Sequence, residues 1–447
     1  MPTCAFVTFG CKINQYDTQA IREEIIDLGY VECDEPVGTD LLVVNSCTVT
    51  ERAGQKVEER VRSLTARNPQ ATIIVTGCMT EEDRERLSRI PSVVHLIGNE
   101  EKHQVAQVIQ GGATLPSTGG RKSREIFGLE VSGMTGRTRA YLKIQDGCDS
   151  FCTYCIIPYL RGSSRSRDFD PVIAEAERLA AAGFRELVLT GIHLRQWGRD
   201  LGIEDGLGQL LRRLRQIDGI DRIRLSSIGE GAFTDSFLNA FEQDEGLCRF
   251  FHVPLQSGSD RILERMRRDY GVQEYVEAMS MVKERLPEAV IATDVIVGFP
   301  GETDQDFEAT LSLIEQLGFQ KVHLFPYSPR PRTKAARLDG HLSPQVRQQR
   351  MERARQLCLE VQGQQLDRRI GDRVQVLIES VQDHSGECQG QGLSREGLRV
   401  TIEPCRPDVL SRGSEVAAVI HSRHGQQLTA VADQRSNRKG APLCLRS

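Results

Sequence analysis

Short apolar runs alternate with charged amphipathic runs along the first hundred residues. The pattern predicts three strand and helix pairs, with strands at residues 4–9, 40–45 and 72–76 and helices over 17–28, 51–67 and from about 81. Alternation of this kind builds a parallel sheet with helices on both faces. Ligands of such sheets bind beyond the carboxyl ends of the strands. Residues that directly follow these strands are therefore expected to meet at one edge.

The same alternation continues through the middle of the chain and predicts a partial β/α barrel. Six strands are expected, at residues 139–145, 186–190, 222–225, 250–253, 291–297 and 321–325. Helices such as Asp170 to Ala182 and Asp304 to Leu317 separate them. In these barrels the chemistry lies at the carboxyl ends of the strands.

Beyond Ser343 the pattern changes to one Gln- and Arg-rich helix and then to short alternating strands with Gly at their turns. These strands predict a small OB-like β-barrel. We therefore expect an α/β protein with a parallel βα domain at residues 1–112, a Gly-, Pro- and Ser-rich linker at 113–134, a partial (βα)6 barrel at 135–342, a connecting helix at 343–368, a small β-barrel at 369–434 and a polar tail at 435–447.

Composition is that of a soluble globular protein, with 39% hydrophobic and 27% charged residues. The sequence contains no run of about 18 apolar residues and no signal-peptide core, so we expect a cytoplasmic protein without a membrane span. The net charge is -5, yet from Pro344 onward 16 Lys and Arg stand against 12 Asp and Glu. The basic surplus thus lies in the C-terminal part, where a nucleic-acid partner would be favoured.

Three thiols stand close together in one loop, at Cys148, Cys152 and Cys155, with Tyr154 before the last of them. A structural zinc site needs four Cys or His ligands, but the next His along the chain is His193 and the next Cys is Cys248. Three thiolates suffice for a [4Fe-4S] cluster whose fourth iron stays open to a reactant. A zinc site is the alternative.

A second set of three thiols follows the three N-terminal strands, at Cys11, Cys47 and Cys78. Because they share a sheet edge and again lack an obvious fourth ligand, they predict a second cluster. The alternative is that small cysteines simply fill tight turns as hydrophobic residues. That interpretation is given to the remaining cysteines, which are Cys4, Cys33, Cys248, Cys358, Cys388, Cys405 and Cys444.

With both sets placed, the chain resembles the methylthiotransferases of the radical S-adenosylmethionine (SAM) class. The C-x3-C-x2-C spacing resembles the signature of that class, and the small barrel resembles a TRAM domain, which holds RNA. Within the family, TFGCKINQYD at residues 8–17 is similar to the MtaB branch, which modifies N6-threonylcarbamoyladenosine next to the tRNA anticodon. Further family motifs are NSCTVT at 45–50, HVPLQSGSD at 252–260, DVIVGFPGET at 294–303 and FPYSPR at 325–330.

The resemblance implies a tRNA-modifying enzyme with two [4Fe-4S] clusters and SAM. Its reaction would convert the nucleoside at tRNA position 37 to the 2-methylthio derivative. The cluster at Cys148, Cys152 and Cys155 would bind SAM and yield a 5′-deoxyadenosyl radical, and the other cluster would carry the sulfur. An electron donor such as flavodoxin or ferredoxin and a sulfur donor are implied partners. We expect a monomer.

Two groups of residues are predicted to contact SAM and RNA. The candidates for SAM lie in the cluster loop and in turns of the barrel, and they are Tyr154, Gly191, Gln256, Ser257, Gly298 and Gly301. The candidates for RNA are the basic residues Arg330, Arg332, Lys334 and Arg337. Another three, Arg161, Arg165 and Arg167, are expected to pair with SAM carboxylate or RNA phosphate, or to form a solvated basic face.

One departure from the branch pattern concerns an acidic residue. The branch has it directly after Ser-Ser-Ile, whereas here Gly229 intervenes and Glu230 comes one position later. Other substrates also stay open, namely N6-isopentenyladenosine or an aspartate of a ribosomal protein. Two further alternatives are a non-catalytic iron-sulfur carrier and an RNA-binding protein with zinc at both cysteine sets.

Overall fold

The structure is a computed structural model that describes residues 1–112, 127–384, 387–405 and 410–433. Most of the predicted linker, the predicted polar tail and Cys444 lie outside the described residues. In the described part, no helix has the length and apolar content needed to cross a bilayer.

The N-terminal part is a five-stranded parallel sheet with strand order β2-β1-β3-β4-β5. Its strands are β1 (Thr3–Thr8), β2 (Val31–Glu32), β3 (Leu41–Cys47), β4 (Thr72–Cys78) and β5 (Val93–Gly98). Its helices are α1 (Lys12–Asp27), α2 (Glu51–Arg67), α3 (Glu81–Ser88) and α4 (Val105–Ile109). The parallel sheet is confirmed, and the two edge strands β2 and β5 are additional to the prediction.

Helix α1 begins at Lys12, five residues before the predicted start at Asp17. The first turn of the helix is mostly polar, so the hydrophobic pattern does not indicate where the helix begins. Asn14 is nevertheless buried, because its amide donates to the carbonyls of Phe9 and Ser46 at 2.8 Å each.

The central part is the predicted partial barrel of six parallel strands. They are β6 (Ala140–Lys143), β9 (Glu186–Thr190), β10 (Arg222–Leu225), β11 (Phe250–His252), β12 (Val290–Val297) and β13 (Lys321–Pro326). Three of them form a sheet in the order β10-β9-β6 and three in the order β11-β12-β13, and parallel bridges such as Ser227 to His252 connect the two. A two-stranded sheet of β7 (Gln145–Asp146) and β8 (Arg165–Ser166) lies next to the central cysteine loop.

The helices of the barrel alternate with its strands. They are α5 (Ile157–Arg161), α6 (Phe169–Ala181), α7 (Gly206–Leu214), α8 (Asp235–Gln243), α9 (Asp260–Met266), α10 (Val272–Arg285) and α11 (Asp304–Leu317). Helix α12 (Pro344–Asp367) follows, capped by Ser343, whose hydroxyl accepts from the Val346 N–H at 3.3 Å.

The C-terminal part is a closed five-stranded barrel in the order β14-β15-β16-β18-β17. Its strands are β14 (Arg373–His384), β15 (Glu387–Ser394), β16 (Arg399–Cys405), β17 (Glu415–His424) and β18 (Gln427–Ala432). The predicted small barrel is thus confirmed. Strand β15 was not predicted, because its Gly- and Gln-rich sequence lacks the usual apolar alternation.

The small barrel packs against the amino ends of the central strands. Arg222 and Arg224 donate to the carbonyls of Leu393 and Ser394, and both contact Glu186 at 2.9 Å and 2.7 Å. Both cysteine sets follow carboxyl ends of strands, so in the barrel the chemistry lies at the end opposite this contact.

Candidate active site

Three cysteines meet at the carboxyl edge of the N-terminal sheet. Cys47 and Cys78 end β3 and β4 and are partners in the register of these strands. Cys11 follows β1 as the N-cap of α1 and reaches the same edge. Burial, and then the neighbouring thiols of Cys78 and Cys11, raise the pKa of Cys47 to about 11. The three sulfurs therefore lie within electrostatic reach of one another.

Close approach at this edge depends on Gly10. Its φ is +94°, and a Cβ atom there would lie 2.5 Å from the Cβ and 2.7 Å from the Sγ of Cys47. Glycine at this position lets the turn before Cys11 pass against Cys47.

The central cysteine loop is folded back on the barrel by backbone hydrogen bonds. The N–H of Cys148 donates to the carbonyl of Gly162 at 3.1 Å, and the N–H of Thr153 donates to that of Met266 at 2.9 Å. Gly147 is required before the loop, because its φ is +75° and a Cβ atom would lie 1.9 Å from the carbonyl oxygen of Ser163. Burial raises the pKa of Cys155 to about 12, so a thiolate there needs a positive partner such as a bound metal.

An iron-sulfur cluster and a single zinc ion require different distances between their sulfur ligands. Ligands of one tetrahedral zinc ion lie about 3.8 Å apart, since each Zn–S bond is about 2.3 Å long. Among the described residues, the one group of three or more possible ligands with all atoms within 4.8 Å of one another contains no cysteine. An iron-sulfur cluster spreads its thiolates over different irons. A cluster at Cys11, Cys47 and Cys78 stays a prediction, with a zinc ion as its alternative.

His193 lies next to the central loop although it follows the next barrel strand. Its Nδ1 is 3.9 Å from the Sγ of Cys148 and 3.4 Å from the Oγ of Ser150. Burial, with the nearby Arg195, lowers the pKa of His193 to about 4, so its ring is neutral at pH 7. The sequence separation of the two residues hid this contact.

The prediction that Arg161, Arg165 and Arg167 form a solvated basic face or pair with RNA phosphate was wrong, whereas their pairing with the SAM carboxylate stays a prediction. All three side chains are buried, and they pair with Asp146, Glu100 and Glu175 at 2.9, 2.7 and 2.5 Å. They are neither a solvated face nor open to RNA, because the fold supplies carboxylate partners that their local sequence does not contain.

Two arginines instead contact cysteine sulfurs. The Nε of Arg161 donates to the Sγ of Cys78 at 3.1 Å, and the Nη1 of Arg268 donates to the Sγ of Cys152 at 3.2 Å. Each cysteine set thus has one arginine at its sulfur. No local motif marks Arg268, which the sequence analysis missed.

The glycines predicted to contact SAM lie at the turns after strands, with protein atoms beside them. A Cβ atom at Gly191 would lie 2.6 Å from Leu194. At Gly298 and Gly301 it would lie 2.5 Å from Arg347 and 3.0 Å from Arg265. Their φ values of +77° and +82° suit the turns themselves. A contact of these glycines with SAM stays a prediction.

The other three candidates for SAM flank the same end of the barrel. Tyr154 packs edge-on against Phe299, with 6.5 Å between ring centroids. Gln256 has a φ of +69°, and its N–H donates to the carbonyl of Asp294 at 2.8 Å. Ser257 is buried with its hydroxyl 3.5 Å from that of Thr310. These contacts with SAM also stay predictions.

Comparison with known proteins follows the same division of the chain. Residues 142–314 match the Radical SAM superfamily, and residues 3–98 match the family described as Uncharacterized protein family UPF0004. A Chlamydia pneumoniae protein named threonylcarbamoyladenosine tRNA methylthiotransferase MtaB is 38% identical over 381 residues, covering 85% of this chain and 87% of its own. The chain belongs to the radical SAM methylthiotransferase family. Membership implies SAM and a [4Fe-4S] cluster as cofactors.

Other relatives of this methylthiotransferase have related names. A Bacillus subtilis protein, also named MtaB, is 37% identical over 79% of each chain. A Pelotomaculum thermopropionicum protein named tRNA-2-methylthio-N(6)-dimethylallyladenosine synthase is 33% identical over 89% of this chain and 91% of its own. The radical SAM methyltransferase TsrM of Kitasatospora setae aligns with a TM-score of 0.53 at 15% identity, over 75% of this chain and 77% of that one. That likeness is one of fold.

A polar cluster inside the methylthiotransferase barrel was missed from the sequence. The Nε2 of His252 lies 2.9 Å from Asp294, its Nδ1 lies 2.6 Å from the Oγ of Ser227, and His323 completes the group. The residues stand on neighbouring strands and are half-buried. Their place in three separate strands explains why a scan for local motifs did not join them.

Glu230 forms an ion pair inside the methylthiotransferase. Its carboxylate is buried and pairs with Arg195 at 2.9 Å. The acidic residue that is shifted by one position therefore pairs with a cation inside the protein, next to the turn that contains His193.

The four basic residues predicted to bind RNA separate into two kinds. Arg330 is buried, and its guanidinium contacts Asp83 at 3.4 Å and the carbonyl of Thr48. The prediction for Arg330 was therefore wrong, because its guanidinium is buried and already has its partners inside the protein. The exposed residues are Arg332, Lys334 and Arg337. Their segment is held against the central loop by the Ala335 N–H, which donates to the carbonyl of Thr153 at 2.8 Å.

Proposed function

We propose that this chain transfers a methylthio group to carbon 2 of N6-threonylcarbamoyladenosine beside the anticodon, at tRNA position 37. The observation that carries the proposal is the presence of two three-cysteine sets at strand ends of two adjoining units, linked through Arg161. A reaction that needs both a radical and a sulfur atom requires two cofactor sites, since no ordinary side chain supplies either.

The residues that would hold the cofactors are Cys148, Cys152 and Cys155 for one [4Fe-4S] cluster and Cys11, Cys47 and Cys78 for a second. When bound, the first would supply the reductive cleavage of SAM to a 5′-deoxyadenosyl radical that activates carbon 2, the second would supply the sulfur that is transferred, and a further SAM would supply the methyl group of that sulfur. An electron donor such as flavodoxin or ferredoxin and a sulfur donor are required partners of this proposal.

The protein's own residues orient and shield this centre. Arg268 sits at the Cys152 sulfur and lies over the ring of Tyr270, 4.7 Å from its centroid. Tyr154 and Phe299 form an apolar wall with Ile296 that keeps water from one side of the loop. The half-buried His252 and Asp294 supply hydrogen-bonding groups that a purine inserted into the barrel can use.

The choice of nucleoside is supported by the relatives' names and by charge. The three relatives named for threonylcarbamoyladenosine are 34–38% identical to this chain, and the one named for dimethylallyladenosine is 33% identical. Threonylcarbamoyl carries a carboxylate, whereas dimethylallyl is apolar. Lys12 directly follows Cys11, and its side chain is exposed at the edge where the N-terminal cysteine set lies. A cation at this position favours the carboxylate-bearing substrate.

Iron analysis of anaerobically reconstituted protein tests the cofactor part of the proposal. Wild type should hold about eight irons, and Cys→Ala replacement of either three-cysteine set should leave about four. About four irons in wild type, unchanged by replacement of Cys11, Cys47 and Cys78, would refute the second cluster.

Nucleoside analysis tests the substrate. Transfer RNA from a strain that lacks the gene should contain N6-threonylcarbamoyladenosine, and complementation should convert it to the 2-methylthio derivative. Conversion of N6-isopentenyladenosine instead would favour the activity named for the Pelotomaculum relative.

A further inference from the structure

Two arginines donate to a cysteine sulfur. Of these two, Arg161 is the one whose side chain contacts both halves of the candidate active site. It ends helix α5, six residues after Cys155, and is 1% exposed. Its Nε donates to the Sγ of Cys78 at 3.1 Å, its Nη1 donates to Asp146 at 2.9 Å, and its Nη2 donates to the Oδ1 of Asn14 at 2.6 Å. One guanidinium therefore bonds three separate elements.

Each partner of Arg161 is a cysteine of one set or lies within three residues of one along the chain. Cys78 is itself a member of the N-terminal set. Asn14 lies in the first turn of α1 after Cys11, and it donates to the carbonyls of Phe9, two residues before Cys11, and Ser46, the residue before Cys47. Asp146 accepts from the N–H of Gly147, the residue before Cys148. The guanidinium thus fixes the N-terminal set relative to the central loop.

Among the described residues, the buried charged groups around Arg161 include more cations than carboxylates. Lys143 pairs with Asp146 at 2.9 Å and with Asp17 at 3.1 Å, and Lys102 also pairs with Asp17. With Arg161 this makes three cations and two carboxylates, all at most 1% exposed. A thiolate or an anionic cluster beside Arg161 supplies the missing negative charge.

We propose that Arg161 is a positioning residue that sets the distance between the two cysteine sets and raises the reduction potential of the cluster held by Cys11, Cys47 and Cys78. Hydrogen bonds and positive charge at a ligand sulfur stabilise the reduced, more negative form of a cluster, which raises its potential. The inference rests on the second cluster of the proposed function.

The chain provides two matched arginines for comparison. Arg268 donates to the Sγ of Cys152 at 3.2 Å, in the central loop. Arg167 is also buried, at 3% exposure, but its partners are Glu175 and Glu130 and it contacts no cysteine in the hydrogen bonds and ion pairs of the described residues. Replacement of each by lysine keeps the positive charge and removes the planar fork that bonds several partners at once.

The experiment is a redox titration of the reconstituted full-length protein, followed by electron paramagnetic resonance, for wild type and for R161K, R268K and R167K. Addition of SAM assigns the signal of the central-loop cluster, because only that signal should change. R161K should shift the other cluster to a more negative potential and alter the magnetic coupling between the two reduced clusters. R268K should shift only the SAM-sensitive cluster, and R167K should shift neither.

The outcomes separate this inference from the proposed function. One outcome is that wild type shows two signals whose potentials and coupling are the same in R161K. That result would overturn the role of Arg161 and leave the proposed function standing. A single signal in wild type would overturn the second cluster and this inference with it. If R161K fails to fold, the double variant R161M/D146N removes cation and anion together, and the same negative shift is expected in it. An unshifted potential in that double variant would also overturn the role of Arg161.

Discussion

His252 and Asp294 face each other inside the barrel, with 2.9 Å between Nε2 and Oδ1. They stand on the neighbouring strands β11 and β12, and the hydroxyl of Ser227 lies 2.6 Å from the other ring nitrogen of His252. Polar side chains held in this way in a half-buried barrel interior are suited to hydrogen-bond a purine. The carboxylate fixes the orientation of the imidazole.

The variant D294N should lower kcat/KM for tRNA by about tenfold or more, since one lost charge-assisted hydrogen bond costs about 1.5–3 kcal/mol. Iron content should stay that of wild type. E284Q makes the same chemical change at an exposed carboxylate of α10 and should leave the rate unaltered. A wild-type kcat/KM in D294N would remove Asp294 from the substrate site.

Lys12 should discriminate between nucleosides. K12Q is expected to lower kcat/KM for tRNA that carries N6-threonylcarbamoyladenosine by about tenfold, because a cation that faces the substrate carboxylate is lost. Activity on a dimethylallyl substrate, where measurable, should fall less. K56Q changes an exposed lysine of α2 and serves as the control. An equal loss on both substrates would argue against a role of Lys12 in specificity.

Replacement of Gly10 should affect the N-terminal cysteine set alone. The added Cβ of G10A would lie 2.7 Å from the Sγ of Cys47, so the reconstituted protein should lose about four of its irons. Gly29 has a similar φ of +89° but no atom within 4 Å of the added Cβ. G29A should therefore cost about 1 kcal/mol of stability and keep the iron content. Full iron loading of G10A would contradict the close packing at this edge.

Glu186 should stabilise the contact between the two barrels. Burial by itself raises the pKa of Glu186, but Arg224 and Arg222 more than offset it and bring the pKa to about 2. The folded pKa lies below the usual value of 4.5, so the stabilisation is present above pH 4.5 and is lost as pH falls toward 2. E186Q removes the carboxylate that pairs with the buried Arg224 and leaves Arg222 with Glu415 alone, and it should cost about 3 kcal/mol at pH 7.

Urea unfolding of wild type and E186Q as a function of pH measures this effect. The difference in free energy of unfolding should be constant from pH 8 to 5 and should shrink below about pH 4.5. A difference that does not depend on pH in the acid range would show that the carboxylate charge is not the cause.

The exposed basic segment should contribute to tRNA affinity through phosphate contacts. Alanine at Arg332, Lys334 and Arg337 together should reduce the slope of log affinity against log salt by roughly 2, since each phosphate contact contributes about 0.7–0.9. The buried Arg330 is the internal comparison, because R330A should lower stability and leave the slope unchanged. An unaltered slope in the triple variant would place the RNA elsewhere.

The sequence by itself determined the order of the elements and the place of both cysteine sets. Apolar runs of the buried-strand type predicted β3, β4 and the six barrel strands, because residues buried on both faces of a parallel sheet are apolar in succession. Since Cys11, Cys47 and Cys78 directly follow such strands, their meeting at one edge followed from topology.

Only the tertiary structure decided which charged side chains are exposed to a substrate and which are paired inside the protein. Arg161 and Arg330 stand among basic residues in the sequence, and each is buried by a partner that comes from another element, Asp146 or Asp83. The group formed by His252, Asp294 and His323 likewise needs three strands to be side by side. Local sequence carries hydrophobic periodicity, whereas the pairing of a buried charge depends on contacts across the fold.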